Sequence, residues 1–490
     1  MTPTLEGLQP TSLWSLFGEL CRIPRPSGME DGVRAWLAAL AERHGFALRT
    51  DAAGNVVIDV PASAGREAAP AVVLQAHVDM VGEKNDGTEH DFRSDPIRPV
   101  RRPGGWIGAD GTTLGADNGI GVAAALAVAV ERSVLHGPLE LLFTVDEEVG
   151  LTGAGRLDAS MVRGRRLINL DSEEEGKVFV GCAGGADVLL SVPAPVAAAA
   201  RGASGLSLTV RGLRGGHSGM TIHENRGNAV KLLVRALLQV RDEGVGCDVG
   251  QIVARAKTNA IPREARAALV LPAGAEAAVR SIVARVLDAC RRELAGGDDA
   301  LAFVVEPSAP GPTVVEPSAA ERLLALLAVL PHGVLAMSRD VPGLVETSAN
   351  LASVEPIDGG YRVATSVRSS MDSVRNAVVR SIRAAAGLGG ATAEERNTYP
   401  GWKPDPSSDL VAVFERVHEK LWRARPEVTA IHAGLECGIL GRKLSGVDMI
   451  SFGPRIEGAH SPDERVHVES VGRFWTTLGA VLDELSRQSP

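Results

Sequence analysis

Cysteine is scarce and scattered. The five, Cys21, Cys182, Cys247, Cys290 and Cys437, are odd in number, far apart and form no C-x-x-C pair, which argues against a disulfide framework and fits a reducing compartment. Aromatic residues make up only 3% of the chain, no Lys/Arg block is interleaved with them, and the net charge is −9. Neither the stacking platforms nor the basic stripe that nucleic-acid binding uses is there. Long apolar runs are also missing: the longest, Gly119 to Val130, is about half of what a membrane-spanning helix needs. The opening residues, MTPTLEGLQP, have neither a basic n-region nor an apolar h-region, so no secretory signal is expected. A cytoplasmic protein is expected, with neither nucleic acid nor membrane as a partner.

What remains is an ordinary globular composition. Hydrophobic residues make up 45% and charged residues 23% of 490 residues, enough for two or three cores. The most informative stretch is Leu139 to Gly150, LELLFTVDEEVG. Leu141, Leu142, Phe143 and Val145 read as a strand apolar on both faces, as in a parallel sheet covered on both sides. Its carboxyl end meets three adjacent acids, Asp146, Glu147 and Glu148. That edge is where open α/β sheets bind ligands, and clustered carboxylates there call for a cation or a shared proton.

Other strand ends repeat the pattern. Ala71–Val78 reads as a strand carrying His77 and Asp79 at its end, two apart and so on one face; a carboxylate in that place can orient a histidine that ligates a metal. Leu167–Leu170 ends at Asp171. Asp117 opens an Ala-rich helix, Gly119–Arg132, where an N-cap is the simplest role, and His460 lies in the Gly- and Pro-rich loop GPRIEGAHSPDERV. Each residue alone also fits a structural role. Together they supply imidazole and carboxylate ligands, and Asp117, Glu148, Asp171 and one hydroxide would neutralise two zinc ions. Gly119-Ile120-Gly121 formally resembles a dinucleotide fingerprint, but no strand directly precedes it and Asp117 would repel a pyrophosphate.

Helices are expected over Leu13–Ile23, Gly28–His44, Asp409–Trp422 and Ser470–Leu485, strands over Gly54–Val60 and Met449–Phe452, and a functional loop over Asp86–Gly108. From about Ala186 the pattern changes to strand–helix units that recur weakly. The expected organisation is α/β, with a catalytic domain in two parts, 1–185 and 399–490, and an inserted domain, 186–398.

The segments SLFGELCRIPRPSG, LQAHVDMVGEKNDGTEHDF, LGADNGIGVA, FTVDEEVGLTGA, INLDSEEEG, GGHSGMTIHENRGNA, HAGLECGIL and SFGPRIEGAHSPDERV resemble, in order and over nearly the whole chain, the aminoacyl-histidine dipeptidase (peptidase D) family of co-catalytic dizinc exopeptidases. The resemblance implies a mixed, largely parallel sheet flanked by helices, of the zinc-exopeptidase kind, with an inserted α+β lid domain. It implies two Zn2+ per chain, with Mn2+ or Co2+ as possible substitutes. His77 and Asp171 would hold one ion, Glu148 and His460 the other, and Asp117 would bridge them. Asp79 would clamp His77, and Glu147 would be the general base. Strand alternation agrees that Glu147 and Glu148 should point apart, without saying which ligates.

By the same resemblance His217 is the candidate oxyanion donor, reaching the active site from the lid of its own or the partner subunit, and Asn259 and Arg368 hold the substrate or its carboxylate. His432, Gly434 and Glu436 line the substrate pocket, and a homodimer is expected. The implied activity is hydrolysis of small peptides, dipeptides and Xaa-His dipeptides among them. Rivals are an amidohydrolase acting on N-acyl amino acids, a tripeptide-cleaving aminopeptidase with the same metal core, a non-catalytic binding protein, and a nucleotide-dependent enzyme.

Overall fold

The computed structural model describes residues 3–488. By its internal contacts the chain divides into two compact units. The first runs through Cys182 and resumes at Trp402–Ala430 and from Leu435 onward; the second is Ala183–Gly401 with Ile431–Gly434. The short return, which carries His432 and Gly434, was expected in the catalytic domain. Instead the Ala183 N–H donates to the carbonyls of Ile431 and Ala433, both at 3.0 Å, within the second unit.

The first unit is built on a mixed sheet of eight strands among the described residues: β1 (Ala47–Thr50), β2 (Val56–Val60), β3 (Val72–His77), β4 (Leu139–Thr144), β5 (Arg166–Asn169), β6 (Lys177–Cys182), β7 (Glu427–Ile431) and β8 (Asp448–Ser451), in spatial order β1-β2-β4-β3-β5-β8-β6-β7. The central four, β4, β3, β5 and β8, run parallel. Every residue of β3 and β4 is buried, as expected for strands covered on both faces.

The covering helix Ala116–Val130 is Ala-rich and buried along most of its length. It packs on Thr11–Leu20, whose Trp14 and Phe17 are fully buried, each contributing on the order of 2–3 kcal/mol of apolar burial. Close approach is possible because Gly119 has no side chain: a Cβ there would lie 3.1 Å from the Phe17 ring. Among the described residues no helix is long and apolar enough to cross a membrane.

The stretch Asp86–Gly108, expected as a loop, contains strand Pro99–Arg102 and most of strand Trp106–Ala109. With Ile456–Glu457 and Arg465–His467 they form a second, four-stranded sheet. The missed pairing joins segments some 350 residues apart, beyond what local patterning can report. Its consequence is functional, because Ile456–Glu457 and Arg465–His467 bracket the loop that carries His460.

The second unit is α+β. A four-stranded sheet (Ser204–Arg211, Asp248–Val253, Ala265–Leu271, Ala302–Ser308) and a five-stranded sheet (Gly184–Pro193, Gly333–Met337, Val345–Ile357, Gly360–Ser369, Thr392–Tyr399) share a hydrophobic core with helices such as Ala229–Asp242 and Glu276–Glu293.

Candidate functional site

In the parallel register His77 lies beside Thr144, and Gln75 beside Asn169. The residues that follow β3, β4 and β5 therefore emerge together at one sheet edge, the usual binding edge of such sheets. His77 is 1% exposed. Its Nε2 lies 3.1 Å from Asp117 Oδ1 and 3.3 Å from Asp171 Oδ1, and its Nδ1 lies 3.3 Å from Asp79 Oδ1. His460 Nε2 lies 3.2 Å from Asp117 Oδ2 and 2.9 Å from Glu148 Oε2. Asp117 thus turns one carboxylate oxygen to each histidine. The ligand atoms of His77, Asp117 and Asp171, and those of Asp117, Glu148 and His460, each form a group close enough to hold one ion.

Two local expectations fail in an instructive way. Asp117 falls within the residues assigned to its helix, but it and Asn118 have non-helical dihedrals, and no side-chain cap forms there; the carboxylate faces the histidines instead. Glu147 and Glu148 are not consecutive strand residues. β4 ends at Thr144, Asp146 adopts a left-handed conformation (φ 52°), and the two glutamates lie in the turn beyond. Strand alternation therefore does not separate them. Asp79 fixes the turn that carries both: its two oxygens accept the Glu147 N–H (3.1 Å) and the Glu148 N–H (3.2 Å), while the Ser27 hydroxyl donates to it at 2.8 Å, and one carboxylate oxygen of each glutamate lies within 4.8 Å of the other and of a His77 ring nitrogen. Asp79 accordingly holds the acid turn as well as facing His77.

The electrostatics describe a site short of positive charge. Burial opposes a charged His77, yet Asp171, Asp117 and Asp79 hold its imidazole well above the ordinary range. Asp117 and then Glu148 push His460 up to about 11. Burial raises the carboxyls of Glu147 and Asp171, and burial with neighbouring Asp117 and Asp171 raises Glu173. For Asp79 burial is outweighed by His77, Ser27 and the Glu147 amide, which bring it down to about 2. Glu148 Oε1 is buried with no hydrogen-bond partner. Such a donor set, imidazole and carboxylate only, with an orphaned carboxylate oxygen, fits divalent cations.

Glu436 departs from its expected place in the substrate pocket. It is fully buried, its Oε2 accepting from Gln75 Nε2 and Thr144 Oγ1, both at 2.6 Å. It therefore braces β3 and β4 beneath the sheet edge.

In the second unit the structure brings several expected substrate residues together. Gly216–His217 pairs with Ala260–Ile261, and the Ser218 N–H donates to the Asn259 carbonyl at 2.8 Å. Asn259 and Arg368 line one cavity of about 410 Å3 with Lys257, Asp187 and Tyr399, and Arg368 Nη1 donates to the Tyr399 hydroxyl at 3.0 Å. Gly434 gives that ring its room, since a Cβ there would sit 2.9 Å from it. His217 Nδ1 accepts the N–H groups of Gly219 (3.2 Å) and Met220 (3.0 Å), which leaves the proton of a neutral ring on Nε2. His432 is buried, its Nε2 at 2.7 Å from the Ser348 hydroxyl.

Three histidines of this unit are held low: His217 and His332 to about 4 and His432 to about 3, by burial first, with Arg368 beside the first and last and Lys231 beside His332. All three are neutral in the folded protein and take up protons more readily when it unfolds. Their contribution to stability is therefore complete above about pH 6.5 and is lost as pH falls toward 4, at roughly 1.4 kcal/mol per unit of separation for the deeply placed His332 and His432 and less for His217, which solvent screens. His332→Asn keeps an acceptor for Asn228, which faces the ring Nδ1 at 3.2 Å. In thermal melts from pH 7.5 to 4.5 it should lose less stability than the unaltered chain.

Residues 73–484 match peptidase family M20/M25/M40. The chain is 41% identical over 483 residues to the cytosol non-specific dipeptidase of Escherichia coli strain K12, covering 98% of this chain and 99% of that one. The crystal structure of aminoacylhistidine dipeptidase from Vibrio alginolyticus matches with a TM-score of 0.92 and 40% identity over 98% of each chain. Aminopeptidase PepT from Bacillus cereus matches with a TM-score of 0.56 and 17% identity, covering 98% of this chain and all of that one, a likeness of fold alone.

Proposed function

The chain belongs to peptidase family M20/M25/M40, and from that premise we propose that it is a cytoplasmic metal-dependent dipeptidase, cleaving free dipeptides that include Xaa-His, with a pair of zinc ions. The observation that carries this reading is the two-sided Asp117, one oxygen toward His77 and the other toward His460. His77, Asp171 and Asp117 would hold one ion, and Asp117, Glu148 and His460 the other. Zinc suits the nitrogen and oxygen ligands; manganese or cobalt could substitute. When bound, the pair polarises the scissile carbonyl and makes water a nucleophile near neutral pH.

The chain's own residues supply the rest. Glu147, raised by burial and set by the Asp79-braced turn, takes the proton of the attacking water and passes it to the leaving amine. By the resemblance, His217, neutral with its proton on Nε2, would be the donor to the oxyanion. Arg368, oriented by Tyr399, and Asn259 recognise the terminal carboxylate that every free peptide carries. Arg368→Met should raise KM for dipeptides roughly thirty- to a hundred-fold, the loss of a charge-assisted contact, with a smaller effect on kcat; initial-rate kinetics on Gly-His check this. The homodimer implied by the resemblance is part of the same proposal, checked by sedimentation.

The test of substrate class is a panel of Gly-His, β-Ala-His, Leu-Gly, a tripeptide and an N-acetylated amino acid, before and after chelation and zinc restoration. Metal-restorable cleavage of the free dipeptides alone is expected. Cleavage of only the acylated amino acid or the tripeptide would keep the metal core and replace the substrate.

A further inference from the structure

Arg25 is among the largest fully buried side chains of the first unit, 2% exposed, and its guanidinium is spent on backbone. Nη1 donates to the carbonyls of Val78 and Asp79, both at 2.8 Å, and Nη2 to the carbonyl of Gly115 at 2.6 Å. The first two lie just after His77, and the third lies two residues before Asp117. The segment around Arg25 is strapped along the same strand end. Met80 N–H donates to the Arg25 carbonyl at 3.1 Å, Pro26 bridges to Met80, and Ser27 holds the Asp79 carboxylate.

Glu464, 3% exposed, grips the same turn by its donors. One of its oxygens accepts the N–H groups of Leu114 (2.7 Å) and Gly115 (2.8 Å), and the other accepts the N–H of Asp117 (3.1 Å). Gly115 therefore gives its carbonyl to a buried cation and its N–H to a buried anion. Only glycine fits there: φ is +69°, and a Cβ would lie 2.5 Å from Arg25 Nη2 and 2.9 Å from Met80 Sδ. Burying two charges is costly, and neutral groups could satisfy a turn. A rigid, charge-assisted grip is useful where the position of one carboxylate matters, and hydrogen-bonded partners of metal ligands do this work elsewhere.

We propose that Arg25 and Glu464 are positioning residues that clamp the Leu114–Asp117 turn to the end of the His77 strand, and so set Asp117 between the two metal positions. The proposal rests on the reading of Asp117 as the shared ligand. Arg25→Lys cannot span three carbonyls on both sides of the site. Glu464→Gln keeps one acceptor oxygen but places an amide donor against a backbone N–H.

Each variant should bind the weaker of two zinc ions about ten- to a hundred-fold less tightly in chelator competition. Activity at limiting zinc should fall and recover with excess zinc, while the metal-free protein melts within a few degrees of the unaltered chain. Zinc affinity within two-fold of the unaltered chain in both variants would overturn the proposal. So would a collapse of metal-free melting in both, which would place the pair in the general fold. Asp117→Asn separates the two readings. If it leaves zinc affinity unchanged, the shared-ligand reading fails; if it weakens zinc while Arg25→Lys and Glu464→Gln do not, the clamp alone fails.

Discussion

Glu147→Gln should bind two zinc ions per chain and turn over dipeptides about a hundred- to ten-thousand-fold more slowly, the usual contribution of a positioned base. The amide keeps the size of the side chain and leaves the backbone N–H that donates to Asp79 in place, so the acid turn and the neighbouring Glu148 should stay put. What it removes is the ability to accept a proton from water. A thousand-fold loss corresponds to about 4 kcal/mol of barrier. The effect belongs in kcat, with KM little changed, because the base role proposed for Glu147 acts in the transition state rather than in holding substrate. Full activity in this variant would remove Glu147 from the base role, and loss of one metal would make it a ligand instead.

Asp117→Ala should be still more damaging, and by another route. Its oxygens face His77 at 3.1 Å and His460 at 3.2 Å, so deletion takes a ligand from both positions and one of three carboxylate charges from the set. Zinc binding should weaken by more than about a hundred-fold, beyond the loss typical of a partner that only supports a ligand. Thermal shift gives a direct reading. Zinc at a hundred times its dissociation constant should stabilise the unaltered chain by about 2.7 kcal/mol for each ion bound, and Asp117→Ala should show little of this at the same concentration. An equal shift in both proteins would mean that the ions are held elsewhere.

How far the site could be read from the sequence follows from the range of the interactions. His77, Asp79, Glu148 and Asp171 stand at or just beyond the ends of buried strands, and an apolar run that stops at a charge is a local signal. Their convergence follows from the parallel register, which the run of apolar residues also suggests. Asp117 and His460 were legible as residues but not as geometry. Non-helical dihedrals at Asp117, and the sheet that pairs Trp106–Ala109 with Arg465–His467, depend on partners hundreds of residues away.

Strand alternation does not apply to Glu147 and Glu148: a left-handed Asp146 ends the strand before them, the Asp79 carboxylate holds their turn, and an oxygen of each lies within 4.8 Å of the other. Arg25, Ser27 and Glu464 carry no motif of their own. An arginine that binds only backbone carbonyls leaves no trace in residue spacing, and the resemblance covered PRPSG and SPDERV without giving those side chains work. The resemblance puts Glu436 of HAGLECG in the pocket, whereas Gln75 and Thr144 hold it beneath the sheet edge.

In the proposed centre one carboxylate, that of Asp117, joins two metal positions. Metal-stripped protein titrated with zinc, with bound metal and Gly-His hydrolysis followed together, tests it most directly. Turnover should reach its plateau only as the second equivalent per chain is taken up, and a chelator should reverse both signals. Full turnover at one equivalent, or with none bound, would contradict it.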